Sequence, residues 1–179
     1  MGKLQLLRLS EAIDRLNSRI GYVAAWAILA MALVQFSIIL FRFLFGISSL
    51  WLHESLFYFH VALVLFTAAW TLRNDGHVRV DIFYSNASSR ARAWIDLCGA
   101  LALLSPFMIA VAWFALPYVA RSWAILEGSR EAGGLPLVFV LKSAILVFAA
   151  QMLLQGLSQA IRAGLALAGQ KGSAAAVHS

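Results

Sequence analysis

The chain has 179 residues, of which 62% are hydrophobic and only 12% are charged, and its mean hydropathy is +0.83. Soluble domains contain about 45–50% apolar residues, so this composition excludes an ordinary soluble protein and indicates one that resides in a membrane. The formal net charge of +6 therefore bears on membrane orientation, and it gives no reason to expect nucleic acid as a partner.

Four long, almost uncharged blocks follow one another along the chain. Each is long enough to cross the hydrocarbon core of a bilayer, which needs about 20 apolar residues. Because the blocks are too continuous for the alternating segments of a β-barrel, they predict an all-α integral membrane protein with four transmembrane helices. The first block is also longer than the apolar region of a cleaved signal peptide, which favours an uncleaved anchor. The predicted helices lie at about residues 20–45, 54–72, 93–120 and 135–162.

The two ends of the chain differ from these blocks. Within residues 1–19 and at the start of the first block, apolar residues recur at helical spacing, which predicts an amphipathic helix in the membrane interface. A plain extension of the first span is the alternative. The chain thus divides into an N-terminal segment (1–19), a four-helix transmembrane domain (20–165) and a small, polar tail (166–179) that is predicted to be flexible.

Lys and Arg residues are distributed unevenly between the connecting segments. Cytoplasmic segments of membrane proteins carry the excess of these residues, so both termini and the 73–92 loop are predicted to face the cytoplasm. The predicted cytoplasmic side holds ten of the fourteen, which are Lys3, Arg8, Arg15, Arg19, Arg73, Arg79, Arg90, Arg92, Arg162 and Lys171. The opposite side holds only Arg42, Arg121 and Arg130.

Lys142 lies inside the fourth predicted helix, where a charged group is costly. Its side chain could extend to the outer membrane surface, or pair with Glu54 at the outer end of the second helix, or pair with another subunit. The sequence leaves these three possibilities open.

The remaining side chains give little indication of chemistry. His53 and His60 lie seven residues apart on one face of one helix, so they cannot clamp both sides of a haem. Cys98 is a lone cysteine and cannot form a disulfide within the chain. We find no catalytic triad, nucleotide loop or metal cluster in the sequence, and we therefore predict no enzyme activity, no catalytic residue and no bound cofactor or metal.

Two stretches are candidates for contact with another subunit. The turn "RNDGHVRVDIF" mixes charge with apolar residues, and His77 and Asp81 stand at i, i+4 spacing, where they could bond. In the fourth helix, Gln155 could hydrogen-bond to a neighbouring helix. It is followed by a stripe of small residues that would allow close helix approach, although an alanine-rich helix end would look the same. The stripe consists of Gly156, Ala160, Gly164 and Ala168.

The region from Trp51 to Phe83, together with the fourth predicted helix, resembles the small, DctQ-like membrane subunit of tripartite ATP-independent periplasmic (TRAP) transporters. Trp70 departs from the pattern, because family members often have a small residue there. The matching residues are Glu54, Arg73, Gly76, His77, Asp81, Lys142, Gln155 and Gly156.

This resemblance implies a multi-pass protein of the bacterial inner membrane. Its partners would be the lipid bilayer, a large membrane permease subunit and a periplasmic substrate-binding protein. In that family the large subunit moves the substrate, typically a carboxylate, together with sodium, and the small subunit is a scaffold. Subunit-interface or structural roles are thus expected for Glu54, Arg73, His77, Asp81, Lys142, Gln155, Gly156, Ala160 and Gly164.

Two other functions fit a small membrane protein of this kind. A membrane anchor of a respiratory oxidoreductase would show a haem absorbance band or depend on a quinone. A self-sufficient multidrug exporter would need an acidic residue in mid-membrane, and the terminal positions of Glu54 and Asp96 disfavour it.

Overall fold

The computed structural model of the chain describes the backbone of residues 2–74, 76 and 87–177, and side chains as far as Gly169. Helices and short connections account for these residues, and no strand occurs among them. In chain order the elements are α1 (Lys3–Ala25), α2 (Ala27–Phe45), α3 (Leu50–Arg73), α4 (Ser89–Cys98), a π-helical turn (Gly99–Leu104), α5 (Ser105–Ala124) and α6 (Val138–Val177). The candidate residues His77 and Asp81 lie outside the described residues.

Four helical stretches are long and apolar enough to cross a membrane, which confirms the predicted all-α fold with four potential spans. Because successive spans run in opposite directions, the start of α1, the end of α3 and the second half of α6 lie at one end of the bundle. We name this the inner end, after the predicted orientation. The opposite, outer end carries residues 46–49 and 125–137. The four stretches are Lys3–Phe45, Leu50–Arg73, Ser89–Ala124 and Val138–Gly169.

The first span is preceded by a helix that packs on the bundle. α1 meets α2 at Trp26, where the α-helix is interrupted by a single residue. The buried residues of α1 are mostly small or polar, and they face α3 and α6. Leu4 and Leu16, in contrast, are exposed on α1. The polar face of this helix is therefore the one that contacts protein, while leucines point outward.

α3 and α6 lie at the centre of the bundle, because both α1 and α6 pack on α3, and α5 packs on α6. The buried core combines two alanines with two methionines. Ala69 on α3 and Ala149 on α6 are fully buried, and residues this small let the two helices approach closely. Met108 and Met152 fill the space beside them.

Gly21 explains how the bundle accommodates Trp70. A Cβ atom added to Gly21 would lie 2.6 Å from the Cβ of Trp70, which is far closer than real contacts allow. α1 therefore passes over the base of this tryptophan at a point where it has no side chain. The large residue at position 70 is matched by the smallest one on the facing helix.

The third span changes its helical geometry before Pro106. Proline lacks an N–H donor and its ring crowds the preceding turn, which widens here into the π-helical segment Gly99–Leu104. The Ser105 hydroxyl donates a hydrogen bond to the Ala100 carbonyl at 2.7 Å. Leu104 then packs on Gly156 of α6, where an added Cβ would lie 2.8 Å from the leucine Cδ2.

Candidate functional sites at the two ends of the bundle

At the outer end, Lys142 pairs with a residue of its own helical hairpin. Its Nζ lies 2.5 Å from Oε2 of Glu127, which also accepts a hydrogen bond from the Ser122 hydroxyl at 2.7 Å. The same Nζ lies 4.0 Å from the centre of the Tyr118 ring. The pairing with Glu54 that the sequence allowed is therefore not formed. The loop between α5 and α6 instead brings Glu127 back over the first turns of α6.

Both hydrogen bonds to Glu127 favour the charged form of its carboxyl group. The hydrogen bond from Lys142 lowers the pKa of its carboxyl group, and the hydrogen bond from Ser122 lowers it further. The group therefore carries a full negative charge at neutral pH, which the ammonium group of Lys142 balances.

Glu54 has a different role at the same end. Its Oε2 accepts a hydrogen bond from the backbone N–H of Leu135 at 2.5 Å, and its Oε1 accepts one from the Ser129 hydroxyl. Ser129 and Leu135 also bond to each other through the backbone, at 3.0 Å. Through these two hydrogen bonds, Glu54 holds the outer loop against the beginning of α3.

At the inner end, a buried carboxylate joins three helices. The side chain of Asp14 on α1 is 2% exposed, and it lies against α6 and α3. Its Oδ1 accepts hydrogen bonds from Ser158 Oγ at 2.8 Å and Gln155 Nε2 at 3.0 Å, both on α6. Its Oδ2 forms ion pairs with Arg162 of α6 and, at 3.7 Å, with Nε of Arg73 at the end of α3.

Neighbouring polar groups extend this contact. Asn17 Nδ2 donates to Gln155 Oε1 at 2.9 Å, and Arg73 donates to the Ser18 hydroxyl. Gln155 is 1% exposed, so both of its amide atoms are committed within the subunit. We name the group formed by Asp14, Asn17, Arg73, Gln155, Ser158 and Arg162 the inner network.

The small-residue stripe of α6 is divided between the interior and the surface. Gly156 packs on Leu104 and Ala160 is buried, so both serve contacts within the chain. A Cβ atom on Gly164 would meet no atom within 4 Å, and Ala168 is exposed. Only the second half of the stripe is open to another helix.

The described residues contain no group of three or more His, Cys, Asp or Glu side chains that could hold a metal ion. His53 contacts the carbonyl of Ser49 at 2.9 Å through Nδ1, and His60 is exposed on the surface of α3. Both histidines lie on α3 and belong to no such group in the part of the chain that the structure describes.

A family model described as "Tripartite ATP-independent periplasmic transporters, DctQ component" matches residues 31–165, most of the chain. The chain belongs to the DctQ family. No curated protein and no solved structure matches it.

As a DctQ component, the protein is a small membrane subunit of a TRAP transporter in the inner membrane, and it is a transport subunit without enzyme activity. These findings confirm the resemblance and do not favour the respiratory anchor. The match begins at position 31, so α1 precedes it. The inner network therefore joins a helix outside the matched region to α3 and α6 of the DctQ domain.

The sequence reading of this DctQ protein missed Asp14, Asn17, Ser158 and Arg162. A signal for them was present, since polar residues follow helical spacing at 10, 14 and 17 on α1 and at 151, 155, 158 and 162 on α6. The leucines of α1 indicate its membrane-facing side, whereas Ser10, Asp14 and Asn17 mark the side that contacts α3 and α6. Two polar stripes at this spacing predict two helices that pack through hydrogen bonds.

Proposed function

We propose that this DctQ protein is the scaffold subunit of a sodium-coupled, binding-protein-dependent secondary transporter that imports an organic acid. Its partners would be a large membrane permease subunit and a periplasmic substrate-binding protein. Membership of the DctQ family supports a place in a tripartite transporter. The sodium coupling, the carboxylate substrate and the scaffold role are our proposal.

The location of the ion pairs is the observation that carries the scaffold role. Among the described residues, Lys142 pairs with Glu127 at the outer end, and Asp14 pairs with Arg73 and Arg162 at the inner end. Complete secondary transporters instead bind substrate and ion near mid-membrane, between broken helices. Charges that join helices at the ends of a bundle favour a fixed support over a moving, substrate-binding part.

The outward surface of the bundle is also suited to a support. Large apolar side chains are exposed on α2, including Leu33 at 60%, and on α5, including Trp113 and Phe114 at 76% each. Lipid covers such surfaces in a membrane, and a large membrane subunit would cover part of them in a complex.

Reconstitution tests this proposal. Candidate substrates are first chosen from a panel of mono- and dicarboxylates, as those that raise the melting temperature of the purified binding protein. Uptake of the radiolabelled compound is then measured in liposomes with this chain alone, with the large subunit and the binding protein but without this chain, and with the binding protein and both membrane subunits.

We expect uptake only with all three proteins and an inward sodium gradient. Uptake by this chain alone would refute the scaffold role, and full uptake without it would show that the subunit is dispensable. Uptake that is unchanged when potassium replaces sodium would refute the sodium coupling.

A further inference from the structure

A pocket of about 190 Å³ lies at the outer end between the first turns of α3 and α6. Glu54 and Tyr58 line it from α3, Ser129 lines it from the outer loop, and Val138 and Leu141 line it from α6. Phe57, which is 66% exposed, stands at its rim. The pocket is therefore apolar apart from one carboxylate and two hydroxyl groups.

The ion pairs among the described residues do not include the carboxylate of Glu54. Its two hydrogen bonds come from neutral donors, the Ser129 hydroxyl and the Leu135 N–H. Glu127 and Asp14, the other carboxylates held between helices, each have a cationic partner. A carboxylate offers about four acceptor positions, so Glu54 can accept further hydrogen bonds. An anion beside apolar walls is unfavourable until a cation is supplied.

Tyr58 provides a second polar group in the same pocket that lacks a partner among the described residues. Its hydroxyl is buried and has no hydrogen-bond partner among the described residues. Buried polar groups are paired in the great majority of cases, and an unpaired one calls for an explanation. Tyr58 follows Glu54 by one helical turn, so a ligand in the pocket could bond to both.

These two groups together select a cationic side chain. A guanidinium group has five N–H donors and an ammonium group has three, so either can bind Glu54 and still reach a tyrosine oxygen. The aromatic residues Phe57 and Tyr58 add favourable contacts for such a cation. A bound metal ion fits less well, because the described residues contain no cluster of metal-ligating side chains here.

The position of the pocket indicates which partner supplies the cation. The pocket lies between two spans at the outer end of the bundle, and its rim residue Phe57 is apolar and exposed. An exposed apolar rim favours an entering group that belongs to another membrane protein over one from a soluble protein. We propose that the pocket receives an arginine or lysine side chain of the large membrane subunit, an inference that rests on the proposed function.

Two substitutions test this proposal by the affinity of the complex. The wild-type chain and its variants are purified, and their binding to a fluorescently labelled large subunit is titrated in detergent. Glu54→Gln should raise the Kd by about 10- to 100-fold, because it removes the charge that the cation meets. Tyr58→Phe should raise it by about 3- to 10-fold. The control variants Glu131→Gln and Tyr22→Phe, both at exposed positions, should bind within about twofold of wild type.

Tyr58→Phe also separates binding from folding. Its hydroxyl has no partner in the described part of the chain, so the isolated variant should melt at the wild-type temperature. Ethylguanidinium should weaken the wild-type complex more than neutral ethylurea does, and this difference should disappear in Glu54→Gln.

Wild-type affinity of both Glu54→Gln and Tyr58→Phe would overturn the pocket assignment and leave the proposed function standing. Equal competition by ethylurea and ethylguanidinium would also overturn it. Failure of the wild-type chain to bind the large subunit at all would instead count against the proposed function.

Discussion

Replacing Asp14 by alanine should lower the stability of the isolated subunit, because four side chains from two other helices converge on this carboxylate. Gln155 and Ser158 donate to Oδ1 at 3.0 and 2.8 Å, while Arg162 and Arg73 approach Oδ2. Asp14 itself is 1% exposed, so water cannot replace these contacts in the folded protein.

The magnitude follows from the burial of each partner. A hydrogen bond to a charged group contributes about 1.5–3 kcal/mol, so the two buried donors account for about 3–6 kcal/mol. The side chains of Arg73 and Arg162 are 36% and 49% exposed, so solvent screening limits each ion pair to about 0–1 kcal/mol. The substitution relieves the desolvation of Asp14, which offsets part of this sum. We therefore expect a loss of about 3 kcal/mol, or about 6–12 °C in Tm for a chain of this length.

The assay is thermal unfolding of the purified subunit in detergent, followed by the loss of its monodisperse chromatographic peak. Glu11→Ala serves as the matched control, because Glu11 is a carboxylate on the same helix that is exposed to solvent. It should shift Tm by no more than about 2 °C. Equal melting temperatures for Asp14→Ala and Glu11→Ala would refute the account of the inner network.

Three further predictions concern other parts of the bundle. Gly21→Ala should cost about 1–3 kcal/mol through its collision with the Cβ atom of Trp70. Adding Trp70→Gly, which removes that Cβ atom, should reduce the cost, and equal effects in both backgrounds would contradict the packing. Glu127→Gln should lower Tm at pH 7. Because bonding to Lys142 lowers the folded pKa of Glu127, its contribution is complete above the ordinary pKa of 4.5 and is lost as the pH falls through the lower folded value. A Tm difference that grows as the pH falls below 4.5 would contradict this sign. Alkaline phosphatase should be active when fused after Gly128 and inactive when fused after Ser88, and the reverse pattern would invert the orientation.

The four potential spans could be predicted from sequence because their signal is local. A bilayer requires long uncharged segments with internally bonded backbones, and each segment carries this property by itself. The same locality explains why an N-terminal helix was expected before the first span. Its contacts with α3 and α6 were not predicted, because the leucines of α1 indicated only a helix at the membrane interface. Asp14, Asn17 and Gly21 form the face that contacts protein.

The partners of the charged residues were not predictable in the same way. From sequence, three outcomes were open for Lys142: extension to the outer membrane surface, pairing with Glu54 at the outer end of the second helix, or pairing with another subunit. Glu127 was not among the candidates. The loop between α5 and α6 decides the outcome, because it carries Glu127 to within 2.5 Å of Lys142 and lays Ser129 and Leu135 against Glu54. Which carboxylate pairs with Lys142 depends on the conformation of this loop. The residue pattern within a single helix does not determine that conformation.

The sequence by itself determined that this protein is a four-span helical membrane protein with the residues of a DctQ subunit, because hydropathy and motif residues are properties of single segments. The tertiary structure alone decided which polar groups meet. It placed Gln155 and Gly156 inside the subunit, joined Asp14 to α3 and α6, and left Glu54 without a cation among the described residues. Those outcomes depend on distances between residues up to 148 positions apart, and only the packed helices set such distances.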